Sequence, residues 1–147
     1  MLGHRIGGKR LGIIGMGRIG RAVARRARPF GLSIAYHNRH RLPFEVEQEL
    51  DAQWQGDLDA LLAESDILSI HCPLNADSRG LVDARRIGLL RPDAYVINTS
   101  RAEIMDEGAL SGHLTAAGNE AVFPALVEGL SQRYHRPVDI ADAQASR

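Results

Sequence analysis

The fold is decided by Leu11-Gly12-Ile13-Ile14-Gly15-Met16-Gly17-Arg18-Ile19-Gly20, a stretch that continues through residues 21–30 to Leu32-Ser33-Ile34-Ala35-Tyr36. The apolar runs at both ends predict two strands, and the segment between them predicts a helix. The three central glycines have the G-x-G-x-x-G spacing, which indicates a dinucleotide site only where it follows a strand and opens a helix. Both conditions hold, so we expect a strand–helix–strand unit that binds a dinucleotide.

Each glycine of this pattern has a separate task. Gly15 allows the tight turn, Gly17 lets the backbone approach a pyrophosphate, and Gly20 lets the helix pack close to the strand. The amide groups of the first helical turn, which lack intrahelical acceptors, then face the negative charge. We therefore predict that these three glycines bind the cofactor.

The end of the second predicted strand favours NADP(H), with NAD as the alternative. An NAD site usually places Asp or Glu there, about 20 residues after the glycines, to bind the ribose hydroxyls. This chain has His37-Asn38-Arg39-His40-Arg41 instead, and its first acidic residue is Glu45. An arginine can bind a 2′-phosphate through two charge-assisted hydrogen bonds. We predict Arg39 as the main phosphate ligand, with Asn38 beside it and Arg41 as support; a solvated basic loop is the other interpretation.

The 147 residues have the composition of one globular domain, since 44% are hydrophobic and the formal net charge is zero. The charge is uneven, because ten Lys or Arg and no acid precede Glu45. Several of these arginines lie among apolar residues of the first predicted helix, namely Arg21, Arg25, Arg26 and Arg28, which indicates a solvated helix face. No aromatic residues interleave with them, as base stacking would require. We expect no nucleic-acid partner, although the basic amino-terminal third leaves that alternative open.

The single cysteine, Cys72, allows no internal disulfide, which favours a reducing compartment. No apolar run approaches membrane-spanning length, and the first residues lack the apolar core of a signal peptide. We expect a cytoplasmic protein without a membrane partner, and we predict no metal site.

Further along the chain, strands and short helices alternate. Residues 57–64 and 84–90 have apolar residues at helical spacing, whereas residues 66–73 and 94–98 have the apolar runs of buried strands. Residues 42–56 give no clear prediction beyond a packing role for Trp54. The alternation predicts an α/β fold with a doubly wound parallel sheet of the Rossmann type. Its ligand belongs at the carboxyl ends of the strands, which carry Gly15-Met16-Gly17, His37-Asn38-Arg39, Cys72-Pro73-Leu74 and Thr99-Ser100-Arg101.

Four stretches resemble the D-isomer-specific 2-hydroxyacid dehydrogenases, most closely the glyoxylate and hydroxypyruvate reductases. These stretches are residues 11–20, 36–39, 66–81 and 96–110, and the likeness covers about residues 2–110. The resemblance implies an oxidoreductase that transfers a hydride between a nicotinamide cofactor and C2 of a small 2-oxo or 2-hydroxy acid. It also implies a homodimer for the full-length protein.

The resemblance implies cofactor contacts for particular residues. Arg18 and Ile19 would offer backbone amides to the pyrophosphate, and Cys72 and Pro73 would line the wall beside the adenosine and ribose. Cys72 fits a small wall residue better than a nucleophile, because no partner base is evident.

At the next strand end, the resemblance places Thr99 and Ser100 near the nicotinamide half of the cofactor and makes Arg101 the catalytic arginine. Arg101 would bind the substrate carboxylate or polarise the keto oxygen. Hydride delivery puts negative charge on that oxygen, and a fixed guanidinium stabilises it. A structural salt bridge is the alternative role for Arg101.

The chain departs from the family pattern in three places. Only about ten residues precede the first predicted strand, and Ala102 stands where the family has glycine, which strains the loop if that position needs a positive φ. After Leu110 the match fades, and neither His113 nor His135 has the setting of the family's acid–base histidine. We predict a dinucleotide-binding domain over residues 1–110, a divergent segment with a helix and a tail over 111–147, and no substrate domain in this chain. A catalytically inactive NAD(P)-binding fragment is the alternative function.

Overall fold

The computed structural model describes residues 6–106, in which five strands form one parallel sheet. The strand order is β3-β2-β1-β4-β5, the order of a doubly wound sheet. The predicted α/β fold of the Rossmann type is therefore confirmed. The elements in chain order are β1 (Arg10–Ile14), α1 (Arg18–Ala27), β2 (Ser33–His37), α2 (Phe44–Leu50), β3 (Ala52–Trp54), α3 (Leu58–Glu64), β4 (Ile67–Ile70), α4 (Ala84–Ile87) and β5 (Tyr95–Asn98).

The two faces of the sheet bury separate apolar clusters, because neighbouring residues of a strand point to opposite faces. Ile13 packs on one face with residues of α1 and α2, including Ala24 and Leu50. Ile14 packs on the other face with residues of α3 and α4, including Leu61 and Ile87. Helices thus cover both faces, which leaves the loops at the carboxyl ends of the strands to form a site.

Helix α1 begins directly after the glycine turn, at Arg18, three residues earlier than predicted. It ends where the sequence indicates: a short 3₁₀ turn over Arg28–Phe30 contains Pro29, and Gly31 then takes a left-handed conformation with φ of 75°. The buried face of α1 consists of small residues, so the helix lies close to the sheet.

Residues 42–56, which gave no clear prediction, form α2 and the edge strand β3. Asp51 ends α2 in a left-handed conformation with φ of 49°. The Trp54 ring is partly exposed and lies under the Arg41 guanidinium, 5.6 Å from its centroid. Trp54 is therefore a packing residue on the edge strand.

Two predicted elements are shorter than the sequence indicated. The strand predicted over residues 66–73 ends at Ile70, and the helix predicted over 84–90 ends at Ile87 because Gly88 caps it. Within residues 6–106 no helix has the length and apolar character needed to cross a membrane. The predictions for residues 111–147, including those for His113 and His135, lie outside the described residues.

Candidate dinucleotide-binding site

A cleft of about 740 Å³ lies at the carboxyl end of the sheet. Three loops build it: the glycine turn after β1, the loop after β2 and the loop after β4. These are three of the four strand ends predicted to carry ligand contacts. The lining residues of the cleft include Gly15, Met16, Gly17, Arg21, His37, Asn38, Arg39, His40, His71, Cys72, Pro73, Asp77 and Ser78.

Two of the motif glycines are required by the packing of the protein itself. Gly15 has a positive φ of 93°, and a Cβ there would lie 2.5 Å from the backbone nitrogen of Cys72. A Cβ on Gly20 would lie 2.4 Å from the carbonyl oxygen of Gly15. A side chain at Gly15 would push the turn away from the loop that follows β4, and one at Gly20 would push α1 away from the turn.

Gly17 differs from these two glycines. Its φ is −80°, which any residue adopts, and a Cβ there would meet no protein atom within 4 Å. The fold therefore does not need glycine at this position. An open backbone surface of this kind fits a group that approaches Gly17 closely, as a pyrophosphate does in dinucleotide sites.

The amino terminus of α1 is suited to an anion. No side chain caps it, and its first turn contains no acidic residue. The first intrahelical hydrogen bond runs from the Arg21 amide to the Gly17 carbonyl at 2.9 Å. The amides of Arg18, Ile19 and Gly20 precede that bond and have no acceptor within the helix. Together with the helix dipole, these amides favour a negative group beside Gly17.

Asn38 has a structural contact that the sequence did not indicate. Its Oδ1 accepts a hydrogen bond of 2.7 Å from the Met16 amide, and the His37 carbonyl accepts one of 3.0 Å from the Gly15 amide. The end of β2 therefore fixes the shape of the glycine turn. Asn38 also lines the cleft, as a residue beside the cofactor must.

Arg39 also lines the cleft, and its side chain is 65% exposed. Its guanidinium forms an ion pair with Asp77, a residue of the loop after β4. Arg39 thus lies where a phosphate ligand was predicted, and it already has an anionic partner there.

Arg41 lies elsewhere and is not among the residues lining the cleft. Its Nε and Nη2 donate to the buried Glu47 carboxylate at 3.0 and 2.8 Å. The Tyr36 hydroxyl donates to the same carboxylate at 2.6 Å and accepts from the Leu42 amide at 2.9 Å. That Arg41 helps to bind a phosphate stays a prediction. Its guanidinium would have to contact the phosphate while it is paired with Glu47.

The contacts of Glu47 shift its own pKa and that of Tyr36. Hydrogen bonds from Arg41 and Tyr36 lower the pKa of the Glu47 carboxyl, which therefore stays ionised although it is buried. Burial, reinforced by the hydrogen bond to Glu47, raises the pKa of Tyr36 to about 12. The resulting network anchors the loop that carries Asn38 and Arg39.

The loop after β4 forms the opposite wall. Cys72 and Pro73 both line the cleft, and burial raises the pKa of the Cys72 thiol. A thiol with a raised pKa suits a wall residue better than a nucleophile. His71 bonds the Ser69 hydroxyl through Nε2 at 2.8 Å, and burial lowers the pKa of its imidazole, so the ring is neutral at pH 7.

The loop after β5 starts at the same edge of the sheet, although Thr99, Ser100 and Arg101 do not line the cleft. The Ser100 hydroxyl donates to the Ile70 carbonyl at 3.3 Å, which ties this loop to the end of β4. Arg101 is exposed, and its Nη1 donates to the Ser100 carbonyl at 2.9 Å. Its guanidinium forms no salt bridge with any residue of the described segment.

The alanine after Arg101 introduces no backbone strain. Among residues 6–106, Asp51 is the sole non-glycine residue with a positive φ, so Ala102 adopts an ordinary conformation. The loop strain that a positive φ at Ala102 would cause is therefore absent.

Two charged residues that line the cleft were not predicted from the sequence. Arg21 was assigned to a solvated helix face, yet it lines the cleft, and its Nε lies 3.4 Å from the Met16 carbonyl oxygen. Asp77 was not predicted either, although it belongs to the turn-forming run Asn75-Ala76-Asp77-Ser78 in the loop that follows β4. Such a turn at the ligand edge of the sheet is a signal that could have found it.

No group of three or more His, Cys, Asp or Glu side chains arranged for a metal ion occurs in the described part of the chain.

Comparison with known proteins agrees with this geometry. Residues 1–122 match the family model described as D-isomer specific 2-hydroxyacid dehydrogenase, NAD binding domain. The glyoxylate reductase of Thermococcus litoralis is 44% identical over 109 residues, which cover 74% of this chain and 32% of that protein. Formate dehydrogenase 2, mitochondrial, of Oryza sativa subsp. japonica is 36% identical over 122 residues, covering 80% of this chain and 32% of that one.

Among solved structures, a glyoxylate reductase from Paecilomyes thermophila superposes with a TM-score of 0.74 at 44% identity, covering 80% of this chain and 35% of that one. The chain thus spans about a third of the length of the relatives it matches. By its fold, its glycine turn and these matches, the chain belongs to the D-isomer specific 2-hydroxyacid dehydrogenase family and corresponds to the NAD-binding domain of that family.

Proposed function

We propose that this chain forms the cofactor-binding part of an NADP(H)-dependent 2-hydroxyacid dehydrogenase of the glyoxylate and hydroxypyruvate reductase type. The observation that carries the proposal is the open backbone at Gly17 beside the uncapped start of α1. The fold leaves both features without a partner of its own, and a pyrophosphate matches both. Relatives named glyoxylate reductase support the substrate class, a small 2-oxo or 2-hydroxy acid.

The pyrophosphate would lie against the amides of Arg18 and Ile19, with Gly15 and Gly20 holding the turn in shape. Asn38 and Arg39 would contact the ribose side of the cofactor. The cofactor wall would be completed by the residues of the two other strand ends, namely Cys72, Pro73, Thr99 and Ser100. When bound, a reduced nicotinamide supplies the hydride.

The proposed preference for NADP(H) rests on the charges of the cleft. Arg21 and Arg39 line it, and Asp77 is its one lining carboxylate within the described residues. A phosphate added to the ribose meets a positive surface there, whereas the carboxylate that usually follows β2 in an NAD site is replaced by Asn38. NAD remains the alternative cofactor.

Arg101 is the proposed catalytic residue. Its guanidinium is exposed at the carboxyl edge of the sheet, and its bond to the Ser100 carbonyl restricts where it points. A guanidinium in that place would bind the carboxylate of a 2-oxo acid and stabilise the charge that develops on the keto oxygen. Because the chain spans about a third of its relatives, the full reaction is a proposal for the whole protein.

The domain boundary near residue 110, the cytoplasm as compartment and a homodimer of the complete protein belong to the same proposal. A single cysteine supports a reducing compartment. The plant relatives are named as mitochondrial formate dehydrogenases, and their location is a property of those proteins.

Two measurements test the function. NADPH fluorescence is titrated with the chain, and NADPH oxidation is then followed with glyoxylate and with hydroxypyruvate. Binding with turnover supports a complete dehydrogenase, and binding without turnover supports an inactive NAD(P)-binding module. Failure to bind either NADPH or NADH, with a salt-sensitive shift of DNA instead, would contradict the proposal.

The phosphate contact is tested by Arg39→Asp. The lost charge-assisted hydrogen bond contributes about 1.5–3 kcal/mol, so the dissociation constant of NADPH should rise about tenfold or more. The dissociation constant of NADH should change much less. Arg26→Asp is the matched control, because Arg26 is exposed on α1 and its guanidinium contacts the Ala22 carbonyl outside the cleft. Equal losses for both cofactors in Arg39→Asp would overturn the assignment of Arg39.

A further inference from the structure

Arg39 and Asp77 meet across the cleft from two different loops. Arg39 follows β2 and Asp77 follows β4, and β1 lies between these strands in the sheet. Both residues line the cleft, and their side chains form an ion pair. The pair therefore joins the two loops that flank the glycine turn, at the edge of the sheet where the adenosine end of the cofactor belongs under the proposed function.

Asp77 is held in place by the turn that carries it. The Asn75 Oδ1 accepts hydrogen bonds of 3.0 Å from the amides of Asp77 and Ser78. The buried Ser78 hydroxyl donates to the Pro73 carbonyl at 2.6 Å and accepts from the Asn75 amide at 2.8 Å. The backbone on both sides of Asp77 is thereby fixed, so its carboxylate is presented at a defined place on the cleft edge.

We propose that Asp77 is a specificity-determining residue, which shares the Arg39 guanidinium with the cofactor and narrows the preference for NADPH over NADH. The inference rests on the proposed function of the cleft. A 2′-phosphate must compete with Asp77 for the donors of Arg39 and is repelled by the carboxylate itself. A ribose hydroxyl, in contrast, can donate a hydrogen bond to a carboxylate, as it does in NAD sites.

Removing this carboxylate should change selectivity without harming the fold. The Asp77 side chain is 74% exposed, and exposed ion pairs contribute at most about 1 kcal/mol to stability. Asparagine keeps the size of the side chain and removes its charge. Asp77→Asn is therefore expected to fold normally and to free Arg39 for a phosphate.

The test compares dissociation constants of NADPH and NADH for the full chain, for Asp77→Asn and for Asp93→Asn. The control removes the same charge from an exposed carboxylate just before β5, at the opposite end of the sheet, where Asp93 pairs with Arg91. We expect Asp77→Asn to shift the ratio of the two constants about fivefold toward NADPH, the range of an exposed ion pair. Asp93→Asn should leave the ratio unchanged.

Part of the shift should come from competition for Arg39, so the shift should become smaller when Asp77→Asn is combined with Arg39→Gln, where only the direct effects of the carboxylate on the cofactor remain. An unchanged ratio in Asp77→Asn, a similar shift in Asp93→Asn, or a full shift in the Arg39→Gln background would each overturn the inference while leaving the cofactor site intact. If the unsubstituted chain binds neither cofactor, the proposed function fails, and the inference fails with it.

Discussion

The substitution Gly17→Ala should weaken cofactor binding while leaving the fold almost unchanged. A Cβ added at this position meets no protein atom within 4 Å, and the backbone φ of −80° suits alanine. Gly17 is the N-cap of α1, and alanine is a poorer N-cap than glycine. Gly17→Ala should therefore lower the free energy of unfolding by less than about 1 kcal/mol.

Binding should respond far more strongly than folding. The added methyl group would occupy the surface on which a pyrophosphate must lie to reach the amides of Arg18 and Ile19. Loss of one hydrogen bond to a charged group weakens binding by about 1.5–3 kcal/mol. With 1.4 kcal/mol per factor of ten, the dissociation constant of NADPH should rise about 10- to 100-fold.

The assay pairs NADPH fluorescence titration with urea unfolding, and Gly20→Ala provides the contrast. A Cβ on Gly20 would lie 2.4 Å from the Gly15 carbonyl oxygen, and this clash should lower the free energy of unfolding by about 1–3 kcal/mol. The better helix propensity of alanine offsets about 1 kcal/mol of that loss. If Gly17→Ala binds NADPH as tightly as the unsubstituted chain does, no pyrophosphate approaches that backbone and the reasoning is refuted.

Two further predictions concern networks outside the glycine turn. Tyr36→Phe removes a buried hydroxyl that bonds both Glu47 and the Leu42 amide, so urea unfolding should show a loss of about 1–3 kcal/mol; an unchanged midpoint would show that the network does not stabilise the loop. Hydrogen bonds from Arg85 and Arg86 lower the pKa of Asp59 from an ordinary 3.8 to about 2. Because the folded-state pKa is the lower one, the contribution of Asp59 is present above pH 3.8 and is lost as the pH falls toward 2. The difference in urea midpoint between the unsubstituted chain and Asp59→Asn should accordingly shrink from pH 5 to pH 3, and a constant difference would contradict the assigned pKa.

The central part of the fold could be read from local patterns. The glycine turn and the runs at residues 11–14, 32–36 and 94–98 gave β1, β2 and β5 to within one or two residues, because strands of a parallel sheet are nearly continuous apolar segments. The expectation that residues 94–98 form a buried strand was wrong, because β5 lies at the edge of the sheet and alternates between exposed and half-buried residues. Strand β3 escaped detection because its three residues, Ala52–Trp54, include only a short apolar signal and pair at the edge of the sheet. Helix α2 carries three glutamates, which hid its apolar face.

The site was less predictable where it depends on pairs of distant residues. Arg39 and Asp77 are 38 positions apart, and only the packing of the β2 and β4 loops brings them together. The burial of Glu47 also depends on residues outside its own helix. A glutamate in a short helix is expected to be exposed, but hydrogen bonds from Tyr36 and Arg41 stabilise the buried carboxylate. The residue types indicated a basic loop correctly, but the partner of each arginine is a property of the fold.

The claim on which the account depends is that an anion lies against the first amides of α1. Amide hydrogen exchange at Arg18 and Ile19, followed by NMR while NADPH is added to the full chain, measures this directly. These amides have no acceptor within the helix, so the account predicts fast exchange without NADPH and marked slowing at saturation. Exchange that stays fast at both positions while NADPH is demonstrably bound would contradict it.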